Sequence, residues 1–192
     1  STGGTEALKA ILTRLPANIP PILIVQHIPP VFSKAFADRM NQLCPFEVRE
    51  AKDGDRVETD QVLIAPGGRQ MSARKSGDSL VIRIDDAPPM NRHKPSVDYL
   101  FDSIAKLDRR KVVAAILTGM GADGARGLLK LRQGGAHTIA QDEATSIVFG
   151  MPREAQRLGG AIEVAPLPEI AERLLAACQT KKRPARQKEP AA

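Results

Sequence analysis

The 192 residues predict an α/β fold: a doubly wound, mostly parallel sheet in a Rossmann-like three-layer arrangement, with an antiparallel hairpin inserted in its middle. Three observations lead there. Two short runs, Ile22 to Val25 and Val112 to Leu117, are too uniformly apolar for a one-sided sheet and read as strands buried on both faces. Segments with apolar residues at helical spacing alternate with strand-like ones near both ends of the chain. Between Phe46 and Asp86 the texture changes to short β-like pieces, two of which flank the turn signal Ser76-Gly77-Asp78.

In order, Ala7, Leu8, Ile11, Leu12 and Leu15 fall on one face of a helix from Glu6 that Pro16 stops. The Ile22 strand lies between Pro20-Pro21 and Pro29-Pro30, with Gln26 and His27 at its carboxyl end. Ser33 is expected to cap a second helix to Leu43, with Phe36, Met40 and Leu43 inward. Strands are expected at Glu47 to Glu50, Val62 to Ala65, Met71 to Arg74 and Leu80 to Ile84. Asp85 to Pro95 reads as a proline-rich loop holding Asn91-Arg92-His93, after which Ser96 caps a helix with the stripe Val97, Leu100, Phe101 and Ile104. The Val112 strand ends in Thr118-Gly119-Met120-Gly121-Ala122-Asp123-Gly124, and a helix comes next with Ala125, Leu128 and Leu129 inward. A strand at Thr138 to Ala140, a short helix from Pro152 to Leu158, a strand at Ala161 to Val164 and a last helix through Ile170, Leu174 and Cys178 complete the reading.

Composition narrows the function. The formal charge is +6, but Lys181 to Ala192 holds Lys181, Lys182, Arg183, Arg186 and Lys188 against Glu189, a net +4, so the other 180 residues carry only +2. The body is close to neutral, with no Trp and one Tyr, which argues against a nucleic-acid surface built on stacking. Residues 1–180 are therefore expected to fold as one domain, with 181–192 as a disordered basic tail. Cys44 and Cys178 have neither disulfide-framework nor zinc-ligand spacing, which points to reduced thiols and the cytoplasm. No apolar run reaches the roughly 18 residues of a membrane span. Nothing argues for more than a monomer.

In an open α/β sheet, ligands bind outside the carboxyl ends of the strands. Ser1-Thr2-Gly3-Gly4-Thr5 opens the first helix, His27 closes one strand and Asp123 comes after another. Serine, histidine and aspartate are the parts of a hydroxyl nucleophile, its base and the carboxylate that orients the base. Each also has a plainer reading: Ser1 as a cap, His27 as filler of a strand-end turn, Asp123 as an N-cap. A competing assignment is dinucleotide binding, because Gly119, Gly121 and Gly124 spell G-x-G-x-x-G between a strand and a helix, with Asp142 about 20 residues on. Against it, Asp123 stands in the third variable position, where its charge would repel a pyrophosphate. A third reading makes the Ser1 α-amino group the base, as in N-terminal nucleophile hydrolases.

Five stretches together resemble one family: Ser1 to Leu8 (STGGTEAL), Gln26 to Pro30 (QHIPP), Asn91 to Asp98 (NRHKPSVD), Leu117 to Gly124 (LTGMGADG) and Phe149 to Ala155 (FGMPREA). They are similar, in order, to the catalytic domain of the chemotaxis methylesterases, the CheB family. The resemblance implies a protein-glutamate methylesterase acting on glutamyl esters of the chemoreceptor cytoplasmic domain, with glutamine deamidation in many members and no cofactor or metal. It places the nucleophile on Ser1, the base on His27 and the buried aspartate on Asp123. The Met120 N–H, with a second donor near Thr2 or Gly3, is expected to face the oxyanion. Arg92 and His93 are expected near the site, either meeting the receptor or rigidifying their loop. Family members usually carry a receiver domain ahead of the catalytic one, and neither that domain nor the strand leading into the family's serine is present in these residues.

Overall fold

A computed structural model describes residues 3–182. Three parallel strands, β1 (Ile22–Ile24), β2 (Glu47–Glu50) and β3 (Gln61–Ile64), pair in the order β1-β3-β2. Three more, β6 (Val113–Ile116), β7 (His137–Gln141) and β8 (Glu163–Ala165), pair in the order β6-β7-β8, again all parallel. Between the two groups in sequence, β4 (Gln70–Ser76) and β5 (Ser79–Asp85) form the antiparallel hairpin, with Ser76 opposite Ser79. Gly77 supplies the positive φ, 58°, that its two-residue turn requires.

Helices α1 (Gly4–Leu12), α2 (Pro30–Leu43) and α6 (Leu167–Lys182) share one hydrophobic cluster with the parallel strands, in which Leu12, Ile24, Met40, Ile139 and Ile170 are buried. Helices α3 (Val97–Ile104), α4 (Ala125–Gln133) and α5 (Met151–Arg157) pack in a second cluster, in which Ile116, Val97, Leu128 and Ala155 are buried. A third cluster lays the hairpin against α3 and β3 through Met71, Ile82, Leu63 and Leu100. The layers are thus helix, sheet and helix, with the hairpin at one side.

Five local expectations are corrected. Ser33 does not cap α2, because Pro29 is the N-cap and Pro30 already has helical geometry; Ser33 sits one turn inside, where its hydroxyl serves other partners. Leu43, expected inward, is half exposed at the last turn, and Ala37 is buried in its place. In α4 the inward leucines are Leu128 and Leu131, and Leu129 is only partly covered. Gly124, with φ 92°, takes the N-cap position expected of Asp123. The parallel strands also fall into two halves. β1 and β6 are not hydrogen-bonded to each other, and a cavity of about 410 Å³ lies between them, lined by Ile22, Ile24, Val113 and Ala115 with Leu12 and Leu174 from the helices. Ile22 and Leu23, expected fully buried, are partly exposed there.

Candidate active site

His27 is held by the residues on its carboxyl side. Pro30 starts α2, and the Ser33 hydroxyl lies 2.9 Å from the Pro30 carbonyl, 2.5 Å from Glu50 Oε1 and 2.9 Å from the Gly67 N–H that donates to it. A Cβ on Gly67 would stand 2.4 Å from the Ile28 carbonyl oxygen, so only glycine lets the loop after β3 close on the His27 segment. Gln26, buried just before it, lies against Gly4, where a Cβ would come within 2.5 Å of the Gln26 amide. The entrance of α1 therefore abuts the carboxyl end of β1.

Asp123 lies just beyond β6 and is 1% exposed. A buried carboxylate must be hydrogen-bonded to stay ionised, and this one has five donors. Oδ2 accepts from His27 Nε2 at 2.7 Å and from the Val97 N–H at 2.7 Å. Oδ1 accepts from Asn91 Nδ2 at 2.8 Å, Ser96 Oγ at 2.7 Å and the Asp98 N–H at 3.2 Å. Two of these donors are the first amides of α3, whose positive dipole end faces the charge. Burial alone would raise the Asp123 carboxyl, but the hydrogen bonds from His27, Asn91, Ser96 and Val97 outweigh it and hold the group far below the usual carboxylate range. An ionised carboxylate can only accept, so the His27 proton toward it resides on Nε2 and the basic lone pair on Nδ1.

Of the other expected residues, His93 stacks on His27, with ring centroids 3.7 Å apart and planes 6° from parallel. Burial, then the neighbouring His27, pushes the His93 imidazole down, which favours the neutral form of His93 in this stack. Arg92 is exposed, with φ 66°, in the turn that carries His93. Met120 is 68% exposed, and its N–H donates to no group among the described residues. Gly3, with φ 78°, caps α1 and packs against Ile147 and Thr118, so the start of α1 also abuts the carboxyl end of β6. Ser1 and Thr2 lie outside the described residues, as do residues 183–192 of the expected tail; its first two residues, Lys181 and Lys182, instead end α6, and Lys181 Nζ donates to the Arg110 and Gly135 carbonyls.

The glycine turn is committed to the chain itself. The Gly119 N–H donates to the Val148 carbonyl, and the Gly119 carbonyl accepts from Gly150 and Met151. Asp142, which a dinucleotide site would aim at a ribose, accepts from both the N–H and the hydroxyl of Thr145. With the Asp123 charge beneath it, the turn is not shaped for a pyrophosphate. Sequence reasoning did not find roles here for Asn91, Ser96 beyond its cap, or Asp98. The dense polar run Asn91 to Asp98 was the one available signal.

Among the described residues, no group of three or more His, Cys, Asp or Glu is placed to hold a metal ion, and no helix is long and apolar enough to cross a membrane. Residues 1–174 match the CheB methylesterase family. Over 176 residues, 92% of this chain, it is 52% identical to a protein-glutamate methylesterase/protein-glutamine glutaminase of Pectobacterium atrosepticum and 53% identical to that of Escherichia coli K12. The chain spans about half the length of these curated relatives. The crystal structure of the Thermotoga maritima CheB methylesterase catalytic domain superposes with a TM-score of 0.88 at 38% identity, covering 91% of this chain and 93% of that one. By sequence over nine-tenths of its length and by fold, the chain belongs to the CheB methylesterase family.

Proposed function

We propose that this chain hydrolyses methyl esters of glutamyl side chains on the cytoplasmic domain of chemoreceptors, and deamidates receptor glutamines by the same route, as part of chemotactic adaptation in the cytoplasm. The observation that carries this reading is the His27–Asp123 hydrogen bond at the carboxyl ends of two parallel strands, against which the Gly3-Gly4 entrance of α1 is packed. In it, Ser1 is the nucleophile. His27 Nδ1 takes the hydroxyl proton as Oγ attacks the ester carbonyl, and the imidazolium is stabilised by Asp123, which stays ionised throughout. The tetrahedral oxyanion faces the Met120 N–H and a donor near Thr2 or Gly3. The proton passes to the leaving methoxide, methanol departs, and water activated by His27 releases glutamate. With a glutamine side chain the leaving group is ammonia. The exposed side chains of Met120 and Ile147 provide an apolar border next to this centre, and Arg92 stands on the turn beside it.

The test is methanol release from a methylated receptor cytoplasmic domain. Ser1→Ala is expected to lower turnover at least about 10⁴-fold, and Met120→Pro, which deletes one N–H, about 100- to 1000-fold. Release at the native rate from the alanine form would remove Ser1 from the mechanism.

A further inference from the structure

Behind Asp123 lies a second buried carboxylate that the proposed mechanism does not use. Asp98 is 5% exposed, and its Oδ1 accepts from the Gly127 N–H at 2.8 Å, in the first turn of α4. Its Oδ2 accepts from Asn91 Nδ2 at 2.7 Å, the same nitrogen that donates to Asp123 Oδ1 at 2.8 Å. One amide thus has each of its two hydrogens on a different carboxylate, which fixes its plane and leaves it no other orientation. Asn91 reaches this place on a tight turn. Met90 and His93 exchange both backbone hydrogen bonds, and the residues between them, Asn91 and Arg92, have φ 53° and 66°, as a type I′ turn requires. The same turn lays His93 on the His27 ring. Gly127 is needed as glycine because a Cβ there would stand 2.6 Å from Asp98 Oδ1.

We propose that Asp98 and Asn91 are positioning residues of the active centre: Asp98, anchored to the start of α4, aims the Asn91 amide, and Asn91 fixes the Asp123 carboxylate that orients His27. The Asp98 carboxylate acts only through Asn91, whereas its backbone N–H, which the variants leave in place, donates to Asp123 directly. This role deepens the triad reading and rests on it for its kinetic consequence, but not for its structural one. Two variants separate the links. Asn91→Gly keeps the positive φ of the turn and removes the amide. Asp98→Asn keeps the shape but can no longer accept from both Asn91 and Gly127 without turning an N–H toward a donor.

Each is expected to lower kcat for methanol release about 10-fold with KM within about twofold. The double variant is expected to lose no more than the more impaired single one, because the two act in series. Independently of any esterase activity, the downfield proton resonance of His27 Nε2–H, bonded to Asp123, is expected to broaden or move upfield in both. If native protein releases no methanol, the functional reading fails while the resonance still decides the positioning role. Variants that keep the native resonance and kcat, or whose losses multiply in the double, would overturn it. Should Asp98→Asn not fold, Asn91→Gly decides the Asn91 link, and Gly127→Ala, which crowds Asp98 Oδ1, decides the Asp98 link by the same resonance and kcat.

Discussion

At Asp123 a single carboxylate carries both a share of stability and the orientation of His27. Its folded-state affinity for protons is depressed, so it contributes stability that is present above the ordinary unfolded carboxylate range near pH 4 and is lost as pH falls below it. Asp98 has the opposite sign: burial raises its carboxyl, against the hydrogen bonds of Gly127 and Gly124, so its ionised form costs stability that acid relieves. Asp123→Asn is therefore expected to be less stable than native protein at pH 7 but to lose less between pH 5 and pH 3 in urea denaturation. Its methanol release is expected to fall about 10⁴-fold, because an amide presents an N–H where His27 needs an acceptor and reverses the tautomer. Denaturation curves that stay parallel to native ones across that pH window would mean that the five donors do not shift this carboxyl.

The element whose geometry fixes these residues is the crossing of α3 and α4. Gly127 brings them together: a Cβ would meet Phe101 Cβ, fixed by its backbone, and Asp98 Oδ1, held by hydrogen bonds, at 2.6 Å each. Gly127→Ala is thus expected to destabilise the protein by about 1–3 kcal/mol despite its better helix propensity, read as a fall in Tm of several degrees. An unchanged or raised Tm would show that the helices separate at no cost. Periodicity alone revealed both helices and the stripe Val97, Leu100, Phe101 and Ile104, because burial of one face leaves its spacing in the sequence. It did not reveal Gly127 as a contact, nor that Ser33 lies inside α2, because Pro at the first helical position permits a start that a serine three residues later only imitates. His27 and Asp123 were legible because strand ends are where ligands bind. Asn91, Ser96 and Asp98 were not, because their partners are set by the meeting of the Met90–His93 turn, the start of α3 and the loop after β6, across 25 to 32 residues of sequence to Asp123.

Over the whole molecule, the two parallel halves meet along edges of unequal protection. β3 and β7 are paired on both sides, whereas β1 and β6 are paired on one side and border the apolar cavity on the other. The start of α1 stands above that cavity, since Gly4 packs on Gln26 beyond β1 and Gly3 on Thr118 beyond β6. A chain rising between the two strands would emerge at Gly3 in the direction of a parallel strand, the usual entry of a strand into its following helix. A run of about five β-branched apolar residues joined ahead of Ser1 spans roughly 16 Å when extended, enough to pass both the three residues of β1 and the four of β6. Such an extended protein is expected to have a Tm higher by about 5 °C or more, from apolar burial and from pairing on two edges. Its β1 and β6 amides should exchange with deuterium as slowly as those of β3 and β7, while in the 192-residue chain they should exchange faster. Polar residues in the same run should give neither effect. Equal exchange in all four strands before the extension, or an unchanged Tm after it, would mean that the halves already close on each other and that the cavity does not accept a strand.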